Sequence, residues 1–158
     1  GVNGTAAGAG FGLAMAADLV VVSEDARFEY AYPRLGLSGD GGITYLLPGL
    51  VGHRRAREIA LLDAPIDAER AVDFGLATEV VPASSFEDRV EELADEMASG
   101  PTRAFGATKR LMANSHGRTF EEHLEAETDT IARLAGTDDY ARGHEAFFGD
   151  EDPDFQGE

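Results

Sequence analysis

The sequence predicts an α/β core followed by a region made only of helices. Three observations carry this reading. Short apolar, β-branched runs alternate with helix-grade segments up to Pro82. From Ser84 onward the apolar residues recur only at helical spacing. No internal repeat or low-complexity linker interrupts the chain. The expected division is an α/β part over 1–82 and a helical part over 83–158.

Val2-Asn3-Gly4 reads as the end of a strand whose beginning lies upstream. Small residues fill Gly4 to Gly12, and the helix formers Leu13 to Ala17 follow, closed by Asp18. Leu19-Val20-Val21-Val22 is a buried strand, and Ala26 to Tyr30 alternate as a second. Pro33 and Gly36 break regular structure, and Leu37 to Gly42 form a loop. Ile43 to Leu47, with Leu50-Val51, suggest a short helix. His53 to Leu62 is an amphipathic one, with Ala56, Ile59, Ala60 and Leu62 inside. Asp67 caps a helix that Gly75 stops, and Leu76 to Val81 is the last strand.

Ser84 or Ser85 then caps a helix to Ala98, and Pro101 to Ala113 is the next. Thr119 and Glu122 have capping-box spacing before a helix to Leu134. Asp138 or Asp139 begins the last helix, and the acidic tail from Gly149 is expected to be loosely held.

Thirty acidic residues face 13 basic ones, of which only Lys109 is a lysine, and the net charge is −17. The acids are dispersed and lysine is nearly absent, which reads as adaptation to a salty cytoplasm where screening weakens self-repulsion; a merely acidic protein at ordinary salt is the alternative. No basic face exists to neutralise phosphates, so nucleic acid is excluded as an expected partner. There is no cysteine, hence no thiolate or disulfide chemistry. No apolar run is long enough to span a bilayer, and the first residues do not read as a signal peptide. The expected location is cytoplasmic. The four histidines have no metal-ligand spacing, and no metal is expected.

Two stretches carry candidate chemistry. A tight Gly/Ala turn feeding a helix leaves N–H donors without internal partners, which suits an anion or a developing oxyanion. Gly8, Gly10 and Gly12 give G-x-G-x-G, but Leu13 stands where a dinucleotide fingerprint needs a small residue. Packing alone is the alternative for that turn. Asp40, between Gly39 and Gly41-Gly42, is the sharpest candidate side chain. Burial against apolar neighbours would suit it to proton transfer; a turn aspartate bonding its own backbone is the alternative. Arg54, Arg55 and Arg57 read as a solvated helix face, with a phosphate contact as the alternative, and Phe147 and Phe148 as core or subunit contact. Tyr30 and Tyr32 flank the cleft, with packing as their default role.

The segments together resemble the crotonase family of enoyl-CoA hydratases and isomerases. The matching pieces are Val2-Asn3-Gly4-x-Ala6-x-Gly8-x-Gly10, Leu13 to Asp18, Ala26-x-Phe28 and Gly36 to Thr44. Leu47-Pro48-x-Leu50-Val51-Gly52, Ala68-Glu69-x-Ala71, Gly75-Leu76, Val80-Val81-Pro82 and Gly143-x-x-Ala146-Phe147 continue them. The resemblance implies the C-terminal portion of a spiral of ββα units, followed by a helical trimerisation region. It implies an acyl-CoA thioester as substrate, with coenzyme A part of that substrate and no separate cofactor. It implies a homotrimer or a dimer of trimers.

In the family one oxyanion donor is a backbone N–H that falls on Ala9 here, and the other comes from an upstream segment. Gly8, Gly10, Tyr32 and Gly36 fall at substrate-contacting positions. The two glutamates that handle water in hydratases are replaced by Gly12 and Tyr32. An aspartate after Gly36-Leu37 instead resembles members that shift double bonds, including isomerases of ring-opened phenylacetyl-CoA epoxides. It also falls where a dehalogenating branch places a nucleophile. The basic residues expected near the last helix are replaced by Asp150, Glu151 and Asp152. The expectation is therefore an acyl-CoA isomerase with Asp40 and Ala9 as catalytic groups. A hydratase, an aspartate-nucleophile hydrolase or dehalogenase, and a truncated CoA-binding or assembly module are the alternatives.

Overall fold

The computed structural model describes residues 1–158 and divides into two compact units, 1–92 and 93–158. In the first unit, β1 (Thr5–Ala7), α1 (Ala9–Met15), β2 (Val21–Ser23) and β3 (Arg27–Glu29) come in quick succession. A 3₁₀ turn over Tyr32–Leu35 precedes α2 (Ile43–Leu62), β4 (Ile66–Asp67), α3 (Ala68–Asp73) and β5 (Glu79–Val81). A second 3₁₀ turn, Ala83–Ser85, leads into α4 (Phe86–Ser99). The helices α5 (Thr102–Asn114), α6 (Phe120–Leu134) and α7 (Asp138–Gly149) follow. No helix is long and apolar enough to cross a membrane.

Two small sheets organise the first unit. One has the order β1-β3-β4, with β1 and β3 parallel and Ala6 opposite Phe28. The other pairs β2 with β5 in parallel, Val22 opposite Val80. Val2 bridges Val22 from the other side, so the opening residues do extend a sheet. The β-branched Val21-Val22 run is buried on both faces, as a central parallel strand requires. Phe11, Phe28, Ile43, Leu47, Ile66 and Val22 are fully buried and form the centre of this unit's core.

The first helix starts earlier than expected. Gly8, at φ +52° and ψ −115°, makes the turn by itself, so the helix begins at Ala9 inside the glycine-rich stretch. Gly12 is buried in α1, and a Cβ there would contact Ile43 Cβ at 3.6 Å. The segments read as two helices run together as α2, but Gly52 at φ +76° and ψ 156° breaks the helix between them. Leu62, expected on the inner face, is exposed, because α2 ends next to it at the left-handed Asp63.

Local signals further along hold. The Asp67 carboxylate accepts from Arg70 N at 2.9 Å, and Gly75 follows at φ +74°. Both bonds of the Thr119–Glu122 capping box are present. The Ser85 hydroxyl, by contrast, donates to the Pro82 carbonyl. Arg54, Arg55 and Arg57 are all exposed, as a solvated helix face requires, and the Arg55 guanidinium lies 3.9 Å from the centroid of the Phe74 ring. Phe147 and Phe148 are exposed in this chain, so they are not core here.

The tail is not loose. Asp139, 4% exposed, accepts from Gln156 N at 2.8 Å and Gly157 N at 2.9 Å. Arg103 Nε donates to the Gly157 carbonyl at 3.0 Å. Acidity led to the expectation of a detached tail; a single carboxylate with two amide donors overrides it.

Candidate active site

The glycine turn and the aspartate loop meet in the first unit. Gly8 N donates to the Glu29 carbonyl at 3.0 Å, which ties the turn to the end of β3. The first bond of α1 runs from Gly12 N to Gly8 O at 3.1 Å. The amides of Ala9, Gly10 and Phe11 therefore have no acceptor inside the helix. Ala9 and Gly10 are exposed, and Phe11 is buried.

Asp40 lies in the loop that precedes α2. Its carbonyl accepts from Ile43 N at 3.1 Å, so the loop folds onto the first turn of that helix. A Cβ on Gly12 would sit 3.9 Å from the carbonyl oxygens of both Asp40 and Gly41, which places α1 directly against this loop. The Asp40 side chain is exposed and makes no ion pair in the structure; the expected burial against apolar neighbours is absent.

Tyr32 joins the two stretches. It is buried, its hydroxyl donates to Asp40 Oδ1 at 2.6 Å, and its ring passes 3.7 Å from where a Gly8 Cβ would lie. The Asp40 carboxylate on that hydroxyl, with burial as the second cause, raises the phenol's pKa above its ordinary value. Tyr30 packs edge-on against Tyr32, ring centroids 5.0 Å apart, and its hydroxyl accepts from Gly39 N at 3.1 Å. Two phenols thus grip the loop, one at the backbone before Asp40 and one at its carboxylate. Packing alone does not describe either tyrosine.

Gly36, at φ +68°, closes the 3₁₀ turn that carries Tyr32, and lies exposed. Sequence reasoning missed the base of this turn. Ala31 is left-handed, φ +64°, and its N–H donates to Asp63 Oδ1 at 2.7 Å. Arg34 reaches Asp63 Oδ2 at 2.5 Å and Glu29 Oε2 at 2.6 Å. Burial alone would raise the Asp63 carboxyl; the Ala31 amide and then Arg34 outweigh it and bring the pKa below the ordinary carboxylate value. Glu29, close to the site in sequence, is committed to Arg34 and, at 3.7 Å, to Arg27. The Tyr-x-Tyr spacing was the one visible signal for Tyr30 and Tyr32; nothing marked Asp63.

A turn with unpaired amides, a neighbouring carboxylate and no clustered metal ligands can polarise a carbonyl and carry a proton. The family model for enoyl-CoA hydratase/isomerase matches residues 1–158. The chain belongs to the enoyl-CoA hydratase/isomerase family. It is 38% identical over 157 residues to a 1,2-epoxyphenylacetyl-CoA isomerase of Escherichia coli (strain K12), covering 99% of this chain and 60% of that protein. It is 38% identical over 156 residues to a probable enoyl-CoA hydratase of Rhodobacter capsulatus, covering 99% and 61%. The crystal structure of an enoyl-CoA hydratase/isomerase from Cupriavidus metallidurans superposes with a TM-score of 0.91 at 36% identity, over 98% of this chain and 58% of that one. The crotonase fold is thereby shared, while this family member spans about three fifths of the length of the curated relatives it matches.

Proposed function

We propose that this family member serves as an acyl-CoA isomerase that moves a double bond through a thioester enolate. The observation that carries the reading is the Tyr32 phenol, which lies over Gly8 and donates to the Asp40 carboxylate. It brings the turn with free amides and the one loop carboxylate to a single place. The Ala9 N–H donates to the thioester oxygen, and one such donor contributes about 3 kcal/mol to a transition state that develops negative charge there. Asp40 takes a proton from the carbon chain, and the C–H electron pair moves into the enolate. The protonated Asp40 returns the proton at another carbon as the enolate collapses, so nothing is added or lost. A single carboxylate suffices for this shuttle, whereas adding water favours two; Gly12 and Tyr32 occupy the two positions that would supply them. Gly8, Gly10, Tyr32 and Gly36 line the path of the acyl group. In this reading residues 1–82 belong to a ββα spiral and 83–158 to a helical region that assembles trimers.

The test is Asp40→Asn in the full-length protein, with double-bond migration followed by ultraviolet absorbance. The rate should fall by about 10²–10⁴. Migration at the original rate overturns the reading, and a covalent acyl-enzyme trapped on Asp40 of the unsubstituted protein would put nucleophilic attack in its place.

A further inference from the structure

We infer that Asp63 is a positioning residue for the proposed reaction: by fixing the left-handed Ala31 it holds the Tyr32 phenol against Asp40. The inference rests on the reading of Asp40 as the group that carries the proton. Ala31 and Tyr32 are consecutive, and Ala31 is the residue on which the chain turns from β3 into the 3₁₀ turn. The left-handed region is sterically costly for a non-glycine residue, so something must hold it there. The Asp63 carboxylate does so, accepting the Ala31 amide with one oxygen and Arg34 with the other. Its side chain is only 11% exposed.

The connection is also closed mechanically. The loop bearing Asp40 leads into the start of α2, and Asp63 caps its end. Asp63 binds the turn whose Tyr32 returns to Asp40, so the two segments of α2, which meet at the Gly52 break, are tied to one turn at their outer ends. Loss of the Asp63 bond frees Ala31 to leave the left-handed region, and the phenol then loses its fixed approach to the carboxylate. Asp63 reaches neither Asp40 nor the glycine turn by any bond of its own; it acts through Tyr32.

The experiment compares Asp63→Ala, Asp63→Asn, Tyr32→Phe and the Tyr32→Phe/Asp63→Ala double variant in the full-length protein. Asparagine keeps an oxygen for the Ala31 amide and tolerates the left-handed conformation, so it also guards against failure to fold. Asp63→Ala should lower kcat about tenfold with KM nearly unchanged, the loss expected of a displaced catalytic group. Asp63→Asn should recover most of that loss. The double variant should be no slower than Tyr32→Phe, since both changes break one connection. Independently of turnover, ultraviolet titration of the phenols should show the Tyr32 ionisation moving down in Asp63→Ala, with Tyr32→Phe marking which phenol it is. An unmoved Tyr32 titration, or kcat losses that multiply in the double variant, overturns the inference. If instead the Tyr32 titration moves but Asp40→Asn leaves migration intact, the isomerase reading fails and the Asp63–Tyr32 link stands.

Discussion

The Tyr32 hydroxyl donates to Asp40 Oδ1 at 2.6 Å while its ring covers Gly8. One bond thus reports on both the fold of the loop and the electrostatics of the proposed base. The phenol's pKa is raised above 10.0, first by the hydrogen bond to Asp40. Stability from this bond is fully present below the unfolded value and is lost as pH rises through the raised folded value. Tyr32→Phe should therefore lower stability at pH 7 by about 1 kcal/mol. The deficit should shrink as the pH passes the phenol range. Urea midpoints of both proteins across the alkaline range check this; a gap that is constant with pH refutes it.

Gly39 is required for space and not for an unusual backbone. A Cβ there would lie 2.5 Å from the Tyr30 hydroxyl and 2.6 Å from Ile43 Cγ2. Ile43 is fully buried and β-branched, so it yields little. Gly39→Ala should destabilise by about 1–3 kcal/mol, as overpacking does. It should also displace Asp40 and lower kcat. Gly49→Ala, in open space within α2, is the control and should stabilise by about 0.5–1 kcal/mol. Equal melting shifts for the two variants would contradict the packing argument.

These contacts differ in how far the sequence reveals them. The Asp67 cap and the Thr119–Glu122 box join residues three apart, so their spacing alone predicts them. The strands β2, β3 and β5 and their neighbouring helices are legible because burial imposes its period residue by residue, whereas β1, built of small residues, and the two-residue β4 are too short to show one. The Tyr32–Asp40 bond is set by how the loop folds onto α1, which no local period encodes. The Ala31–Asp63 bond spans 32 residues and depends on where α2 ends. Helical spacing places Leu62 inward, but the helix stops beside it. The tail's attachment is hidden for another reason: acceptance of backbone amides by Asp139 leaves no mark on the residues that donate them.

The charge of −17 should make stability depend strongly on salt. The screening length falls from about 10 Å at 0.1 M to about 3 Å at 1 M, which suppresses repulsion among dispersed acids. We expect the melting temperature to rise continuously with potassium chloride over that range. Chloride is chosen because sulfate or phosphate would stabilise by exclusion from the surface whatever the charge. A melting temperature that is flat or falling with chloride would remove the argument for adaptation to salt.

The tail should come free when Asp139 loses its charge. Its pKa lies below the ordinary 3.8, chiefly because Gln156 N donates to it; burial opposes this, and the Gly157 amide and Arg142 add to the lowering. The stabilisation is present above the unfolded value and is lost as pH falls through the lower folded one. At neutral pH the tail amides of Gln156 and Gly157 should therefore be protected from exchange, and in Asp139→Ala they should exchange freely. Phe155, whose ring would lie 3.2 Å from a Cβ on Gly143, should leave the α7 surface at the same time. Amide chemical shifts of residues 155–157, followed down to strongly acidic pH, should show the native protein reaching the variant's spectrum only below 3.8. Protection that survives Asp139→Ala at neutral pH would mean that the Arg103 bond to Gly157 holds the tail and Asp139 does not.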